Sequence, residues 1–278
     1  EFILFDCGEG TQRQMNLAGL NRTKVTKVLL THWHGDHVSG LIGLIQTIGH
    51  IPNPGTLEIV GPRGTQQRLD HLMNSAIFDR RLHVVVHETQ PDKPEVILDT
   101  KRYEILAASV EHGVPTIGFT FREKDTRRIH MEKAEKLGLK PGPLMGKLQR
   151  GQSVQIHEKT VTPEMATYVQ PGRSVCYLMD TRRCDNAVRL AEDVDVLICE
   201  STFLSAEHQD KAEDFNHLSA KDAAMIARDA NAKKLVLTHF SQRYPNTSPL
   251  LEEAQETFQN TDAAHDFLQL ELEKKEVF

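Results

Sequence analysis

Four side chains that could bind metal ions stand close together in the sequence, at His32, His34, Asp36 and His37. Imidazole and carboxylate groups are the ligands that suit zinc and related borderline metals. His32 and His34 are two residues apart on an extended segment, so their side chains point the same way and can hold one ion. Histidine and aspartate are costly to bury without partners, so core packing explains this cluster poorly. The motif therefore predicts a metal centre.

Asp36 and His37, after the turn at Gly35, are predicted to face a neighbouring ion. One short segment cannot complete two metal sites, so the remaining ligands must come from elsewhere. Three ligand-type residues, His112, Asp180 and His239, each follow an apolar run that is typical of a strand. Functional residues of α/β sheets gather at strand ends. One histidine in such a position would indicate little, but the repetition predicts that these three residues complete the centre, with Asp180 bridging two ions.

Apolar runs and helical patterns alternate along both halves of the chain, which predicts the elements that carry these residues. Val25 to Leu30 is rich in β-branched residues and predicts a buried strand. Ser219 is a suitable N-cap for a helix from Ala220 to about Ala230. We therefore expect an α/β fold, an αββα sandwich of two mixed β-sheets flanked by helices. Residues 1–278 are expected to form a single domain with an arm inserted at about 124–172.

The inserted arm is locally basic in a protein whose net charge is −6. Residues 122–150 carry nine lysines and arginines against four acids. Glycines and prolines, including Pro141-Gly142-Pro143, predict a protruding segment with little core of its own. Such a run of charged residues more often indicates a solvated surface loop. A surface that binds nucleic acid is the alternative.

Bulk composition narrows the class of protein. Hydrophobic residues make up 39% and charged residues 26% of the chain, as in ordinary globular proteins. No apolar run approaches the roughly 20 residues that cross a bilayer, and the opening residues have a strand pattern rather than that of a signal peptide. We therefore expect a cytoplasmic protein with no membrane contact. The four cysteines form no C-x-x-C pair, which argues against a sulfur-based zinc site.

Longer motifs accompany the predicted ligands, and they occur at Phe5–Gln12, Glu111–Pro115, Pro141–Leu148 and Thr238–Tyr244. Together with the H-x-H-x-D-H motif, these segments resemble the ribonuclease Z family of the metallo-β-lactamase superfamily. The H-x-H-x-D-H motif alone is shared by the superfamily, whereas the last two segments resemble the family in particular. Members of the family begin with an earlier pair of strands, so N-terminal strands are expected to be missing from this chain.

The resemblance implies two zinc ions per subunit, with manganese as an alternative. The implied ligands are His32, His34, His112 and Asp180 for one ion, and Asp36, His37, Asp180 and His239 for the other. A hydroxide would be the nucleophile, and Asp36 would orient it or accept its proton. His217 would protonate the leaving ribose oxygen, with Glu200 holding the ring. Asp6 either supports the ligand loop through hydrogen bonds or is a simple turn residue.

The implied activity is that of a zinc-dependent endoribonuclease that removes the 3′ trailer from precursor tRNA. Hydrolysis would leave a 3′-hydroxyl on the tRNA and a 5′-phosphate on the trailer. In the family the arm binds the body of the tRNA, so Lys147 and Arg150 are the expected phosphate contacts, and a homodimer is expected. A small-molecule phosphodiesterase or other hydrolase of the superfamily is one alternative. An RNA-binding or structural protein with a degraded site is the other. The effect of a 3′-CCA and the balance of endo- and exonuclease activity stay open.

Overall fold

The computed structural model describes residues 1–157 and 159–274. The strands are β1 (Phe2–Phe5), β2 (Val25–Leu29), β3 (Thr56–Gly61), β4 (His83–Glu88), β5 (Glu95–Asp99), β6 (Tyr103–Val110), β7 (Thr116–Glu123), β8 (Thr126–Ile129), β9 (Val154–Ile156), β10 (Lys159–Val161), β11 (Thr167–Gln170), β12 (Ser174–Leu178), β13 (Val196–Glu200), β14 (Leu235–Thr238) and β15 (Thr261–Ala263).

The helices are α1 (Thr11–Leu17), α2 (Gly35–Val38), α3 (Leu41–Gly49), α4 (Thr65–Asn74), α5 (Met131–Lys136), α6 (Pro143–Gln149), α7 (Pro163–Ala166), α8 (Asp185–Leu190), α9 (Ser205–Phe215), α10 (Ala220–Asp229) and α11 (Ser248–Gln255). A short 3₁₀ helix spans Arg22–Lys24. Within the described ranges, no helix combines the length and the apolar character needed to cross a bilayer.

The N-terminal strands form a four-stranded sheet in the order β1-β2-β3-β4. All of its neighbouring strands pair in parallel. Parallel neighbours need a crossover connection, and helices α1 to α4 lie in these connections. Apolar side chains of α3 and α4 are buried in one cluster with those of β2 and β3. The H-x-H-x-D-H segment therefore leaves the carboxyl end of a strand that is fixed by packing.

A second sheet contains seven strands in the order β15-β14-β13-β12-β7-β6-β5. Strands β12 to β15 pair in parallel. The register places Leu178 beside Cys199 and Glu200 beside Thr238, so the carboxyl ends of β12, β13 and β14 lie at one edge. Functional groups that follow these strands are thereby brought together.

Helices α8, α10 and α11 bury their apolar, alanine-rich faces in a cluster with strands β12, β13 and β14. Ser219 caps α10, as predicted, because its hydroxyl accepts from the Asp222 amide and the Asp222 carboxylate accepts from the Ser219 amide. Such a reciprocal cap satisfies two amides that the helix leaves unpaired.

The two large sheets meet through aromatic side chains. The ring centroid of Phe5 on β1 lies 6.1 Å from that of Phe119 on β7 and 5.0 Å from that of Tyr177 on β12. Helices cover the other face of each sheet. The predicted αββα sandwich is confirmed, but the prediction that both sheets are mixed was wrong for the first sheet, whose neighbouring strands all pair in parallel.

The chain divides into two compact units. The first consists of Glu1–Leu98, Ile105–Phe121 and Val175–Gln269. The second consists of the described residues within Asp99–Glu104, Arg122–Ser174 and the segment that begins at Leu270. In the second unit β8 pairs with β11 and β9 pairs with β10, both antiparallel.

The second unit has a hydrophobic core, so the prediction that the arm has little core of its own was wrong. The buried residues of this core are Ala134, Leu139, Met145, Leu148, Val154, Val161 and Ala166. They come from short elements that are spread thinly along a charged sequence. A count of charged residues over this stretch therefore does not reveal these isolated apolar residues. They form a core only when the helices and hairpins pack together.

Candidate metal centre

The loop after β1 holds the H-x-H-x-D-H segment in place. The amide of Cys7 donates to the carbonyl of His37 at 2.7 Å, and the amide of Gly40 donates to the carbonyl of Cys7 at 2.9 Å. A Cβ atom on Gly8 would lie 2.0 Å from the carbonyl oxygen of Asp36, so only glycine fits there. This close approach explains why a glycine stands at position 8, shortly after the first strand.

A first group of donor atoms lies among three histidines and one aspartate. His34 Nδ1 lies 3.0 Å from His32 Nε2 and 3.4 Å from His112 Nε2. Asp180 Oδ2 lies 3.3 Å from His32 Nε2 and 3.7 Å from His112 Nε2. These four side chains can offer donor atoms that all lie within 4.8 Å of one another, an arrangement that suits one four-coordinate ion.

A second group of donor atoms lies on the other side of Asp180. One donor atom each from Asp36, His37 and His239 lie within 4.8 Å of one another. Asp180 Oδ1 lies 3.4 Å from His37 Nε2 and 3.2 Å from His239 Nε2. The two carboxylate oxygens of Asp180 therefore face different groups, as a carboxylate bridging two cations would. All the residues predicted to bind metal are thus brought together.

Each of four imidazoles in these groups has its Nδ1 next to an oxygen that can accept a hydrogen bond. The pairs are His32 with Thr31 Oγ1 at 3.0 Å, His37 with Asp6 Oδ2 at 2.9 Å, His112 with the Asn216 carbonyl at 3.0 Å, and His239 with Thr202 Oγ1 at 3.0 Å. Donation from Nδ1 leaves the lone pair of Nε2 directed at the centre. The ring orientation and the tautomer that a metal ion needs are therefore both favoured.

Asp6 is a buried residue that links two parts of the ligand segment. Its Oδ1 accepts from the amide of Thr31 at 2.8 Å, and its Oδ2 accepts from His37 Nδ1. Its φ of 53° lies in the left-handed region, which aspartate tolerates better than most residues. These contacts favour the supporting role over that of a simple turn residue.

Three groups that orient the histidines were not predicted from the sequence, namely Thr31, Thr202 and the carbonyl of Asn216. The first two are threonines beside a predicted ligand or a predicted catalytic residue, a signal that could have been noticed. The third is a backbone carbonyl, and no side-chain pattern in a sequence reveals it.

The residues present fit a pair of cations. His37 Nε2 and Asp180 Oδ1 are buried and lack a hydrogen-bond partner within the part of the chain that is described. Burial lowers the pKa of His37, but the neighbouring carboxylates of Asp180 and Asp6 outweigh burial and raise the pKa to about 10. Surroundings that hold a proton so firmly on an imidazole favour a metal cation there as well.

Glu200 and His217 form a pair beside these groups. Glu200 is fully buried, and its carboxylate lies 3.0 Å from His217 Nδ1. Its other donors are the Thr181 amide at 2.7 Å, the Thr202 hydroxyl at 2.8 Å and the Leu218 amide at 3.1 Å. The His217 ring centroid lies 5.1 Å from that of His112 and 5.7 Å from that of His239. His217 can also offer a nitrogen within 4.8 Å of donor atoms of Asp180 and His239, so its role needs a test.

The two arm residues predicted to bind substrate lie in the second unit. Lys147 belongs to α6 and Arg150 follows its end, and both are exposed. Within the described residues, neither side chain forms an ion pair. Their charges are therefore available to a ligand.

Comparison with known proteins identifies relatives over nearly the whole chain. A family model described as the beta-lactamase superfamily domain matches residues 1–133 and 132–240. Ribonuclease Z of Methanothermobacter thermautotrophicus is 41% identical over 273 residues, which cover 98% of this chain and 88% of that protein. Ribonuclease Z of Archaeoglobus fulgidus is 40% identical over 274 residues, with coverages of 97% and 88%.

A solved structure agrees with these matches. The crystal structure of human tRNase Z, short form, matches with a TM-score of 0.67 and 28% identity, over 96% of this chain and 86% of that chain. From the sequence identity over nearly the full length, the domain match and this fold, we conclude that the chain belongs to the ribonuclease Z family of the metallo-β-lactamase superfamily.

Proposed function

We propose that this protein is an endoribonuclease that hydrolyses a phosphodiester bond to remove 3′ trailers from precursor tRNA. The observation that carries the proposal is the convergence on Asp180 of two groups of side chains that could hold metal ions, in a chain that is 41% identical to a ribonuclease Z. The endonuclease class follows from the family, and the chemistry follows from the donor set.

The proposed cofactor is a pair of zinc ions, for which manganese is the alternative. One ion would be held by His32, His34, His112 and Asp180, and the other by Asp36, His37, Asp180 and His239. When bound, such ions lower the pKa of water and neutralise negative charge that develops on a phosphate. His34 and Asp36 are exposed whereas His32, His37 and Asp180 are buried, which supports access of substrate from the side of His34 and Asp36.

Asp36 is the proposed residue that orients the attacking water or accepts its proton. Its side chain is 60% exposed, so it can reach a substrate in solvent. The nearby imidazole of His239, whose Nε2 lies 3.9 Å from Asp36 Oδ2, lowers the pKa of Asp36 to about 2. The carboxylate is therefore ionised, and able to accept a hydrogen bond, throughout the neutral range.

His217 is the proposed donor of a proton to the leaving 3′-oxygen of the ribose, with Glu200 as its positioning residue. Burial lowers the pKa of His217, but the hydrogen bond with Glu200 outweighs burial and raises the pKa. A larger fraction of the imidazole would then be protonated near neutral pH, which favours a general acid. The products would be a tRNA with a 3′-hydroxyl and a trailer with a 5′-phosphate.

Lys147 and Arg150 are the proposed contacts to phosphates of the tRNA body. Such contacts add affinity and fix register without reading bases. A homodimer and a cytoplasmic location stay predictions.

The salt dependence of catalysis tests the proposed substrate. We expect the KM of the wild type for precursor tRNA to rise steeply with salt, because phosphate contacts release counterions. Lys147→Ala with Arg150→Ala should raise KM and reduce the slope of log KM against log salt by about one for each lost contact. Hydrolysis of bis(p-nitrophenyl) phosphate should be the same in both proteins.

The matched control is Lys93→Ala with Lys221→Ala, which removes the same charge from exposed positions in the first unit. Hydrolysis of the small diester without any cleavage of precursor tRNA would assign the protein to the small-molecule hydrolases of the superfamily. Equal salt slopes in the arm variant and the control would show that Lys147 and Arg150 do not contact the RNA.

A further inference from the structure

The second unit contains a cavity of about 300 Å³ that is strongly basic, and we call it the basic cavity. Its cationic lining residues are Lys101, Arg102, Lys124, Arg128, Arg173 and Lys274, and the one acid among the described lining residues is Glu123. These cations come from three separate parts of the chain, two of which lie outside the charged stretch of the arm. The fold therefore concentrates positive charge that the sequence keeps apart.

The single acid of the basic cavity is already engaged. Glu123 accepts from Arg173 Nε and Nη2, both at 2.7 Å, in a two-pronged ion pair. Lys124 forms an ion pair with Asp99, which does not line the cavity. Glu123 and Asp99 are thus paired with Arg173 and Lys124. These two carboxylates therefore neutralise little of the charge on the other cations of the cavity.

Three cations of the basic cavity have no ion-pair partner within the described residues, namely Lys101, Arg102 and Arg128. All three side chains belong to exposed residues. Cations of like charge repel one another, so their gathering in one concave site is unfavourable for the protein alone. An anion bound among them would remove this repulsion.

The turn that carries Lys101 and Arg102 is held firmly. The hydroxyl of Thr100 accepts from the amide of Tyr103 at 3.0 Å and donates to the carbonyl of Tyr103 at 2.8 Å. The carbonyl of Arg102 accepts from the amide of Lys124 at 2.8 Å. The backbone is therefore fixed before any ligand binds, which reduces the ordering cost of binding.

The part of the basic cavity that is lined by Gly172 and Arg173, which we call its floor, is closely packed. A Cβ atom on Gly172 would lie 1.9 Å from the carbonyl oxygen of Glu123, so only glycine fits. Arg173 Nη1 donates to the carbonyl of Leu272 at 2.8 Å, which ties the C-terminal segment to this floor. Strand pairing between β8 and β11 places Arg128 opposite Tyr168. The cations thus surround a defined concave surface rather than a mobile loop.

We propose that the basic cavity binds backbone phosphates of RNA, as a site separate from Lys147 and Arg150. A guanidinium group matches the geometry of phosphate oxygens, and an ammonium group adds a compact charge. The cavity has the size of a small-ligand site, which accommodates a phosphate with its adjoining ribose. The inference rests on the proposed function, because it takes precursor tRNA as the RNA.

Replacement of Lys101, Arg102 and Arg128 together by alanine tests the proposal, and Lys24→Ala with Lys93→Ala and Lys221→Ala is the matched control. Each variant loses three positive charges from exposed residues, so net-charge effects cancel in the comparison. We expect the cavity variant to bind mature tRNA about tenfold more weakly, with a salt slope lower by about two to three. The control should stay close to the wild type, and all proteins should hydrolyse bis(p-nitrophenyl) phosphate equally.

Equal tRNA affinity and salt slope in the cavity variant and the control would overturn the proposal. Calorimetry with inorganic phosphate is the second measurement. If the variant loses phosphate binding but keeps its tRNA affinity, the cavity is a site for a free phosphate ion and the proposal is overturned. The two proposals can also fail separately. If the variant binds tRNA more weakly but the wild type does not cleave precursor tRNA, the result would support the cavity and count against the proposed function. Thermal unfolding of each protein checks that the substitutions leave folding intact.

Discussion

The Asp180→Asn variant is expected to bind fewer than two metal ions per chain and to lose at least about 10³-fold in kcat/KM, the scale for removing one electrostatic contact to a transition state. Each oxygen of Asp180 faces a different donor group, so loss of its charge weakens both groups at once. Asparagine is preferred to alanine because Asp180 has a φ of 43°, a conformation that asparagine tolerates.

Two measurements test this prediction. Inductively coupled plasma mass spectrometry gives the metal content, and an activity assay gives kcat/KM for cleavage of precursor tRNA. Asp210→Asn is the control, because Asp210 is exposed and lies outside both donor groups. An Asp180→Asn protein that keeps two ions and full activity would show that Asp180 does not bridge them. Thermal unfolding separates loss of the fold from loss of the metal centre.

The His217→Ala variant is expected to lose about 10²- to 10⁴-fold in kcat for precursor tRNA, the usual contribution of a general acid. A ribose oxygen is a poor leaving group without a proton. A p-nitrophenolate leaves without protonation, so hydrolysis of bis(p-nitrophenyl) phosphate should change little. Metal content should equal that of the wild type.

The two substrates distinguish this role from metal binding. A nitrogen of His217 lies near donor atoms of Asp180 and His239, so a ligand role is the competing account. Loss of metal in His217→Ala, with both substrates affected equally, would support that account. His208→Ala is a useful control, since His208 contacts the Tyr244 hydroxyl at 2.8 Å and belongs to neither donor group.

The residues whose donor atoms lie together in the two groups could be selected from the sequence, because their types and positions carry a local signal. His32 and His34 directly follow a strand whose β-branched residues predict it, and Asp180 and His239 follow strands of the same kind. Parallel pairing then brings such strand ends to one edge, as seen for β12, β13 and β14. Their role as ligands stays a prediction, although their donor atoms lie close together.

Contacts made across the fold were not predictable in the same way. Asn216 acts through a backbone carbonyl, which its side-chain type does not reveal. Asp6 could be a turn residue or a support until its hydrogen bond with His37 was known. Both contacts depend on loops that are far apart in sequence, so no local pattern encodes them.

Charge patterning indicated a basic stretch of sequence but did not indicate the basic cavity. The basic stretch at 122–150 was evident, whereas Lys101, Arg102 and Lys274 lie far from it in sequence. The core of the arm was missed for a related reason, since residues such as Leu148 and Val161 are isolated among polar neighbours. Local composition therefore indicated a distinct stretch at about 124–172, but it indicated neither the two further segments of the second unit nor how that unit packs.

The most direct test of a metal-dependent endoribonuclease is cleavage of a 3′-extended precursor tRNA by the wild type and by His34→Ala, with both product ends mapped. We expect one cut that leaves a 3′-hydroxyl on the tRNA and a 5′-phosphate on the trailer, and we expect no cut by His34→Ala. A cut that persists in His34→Ala, or a 2′,3′-cyclic phosphate on the tRNA, would contradict hydrolysis by water at this metal centre.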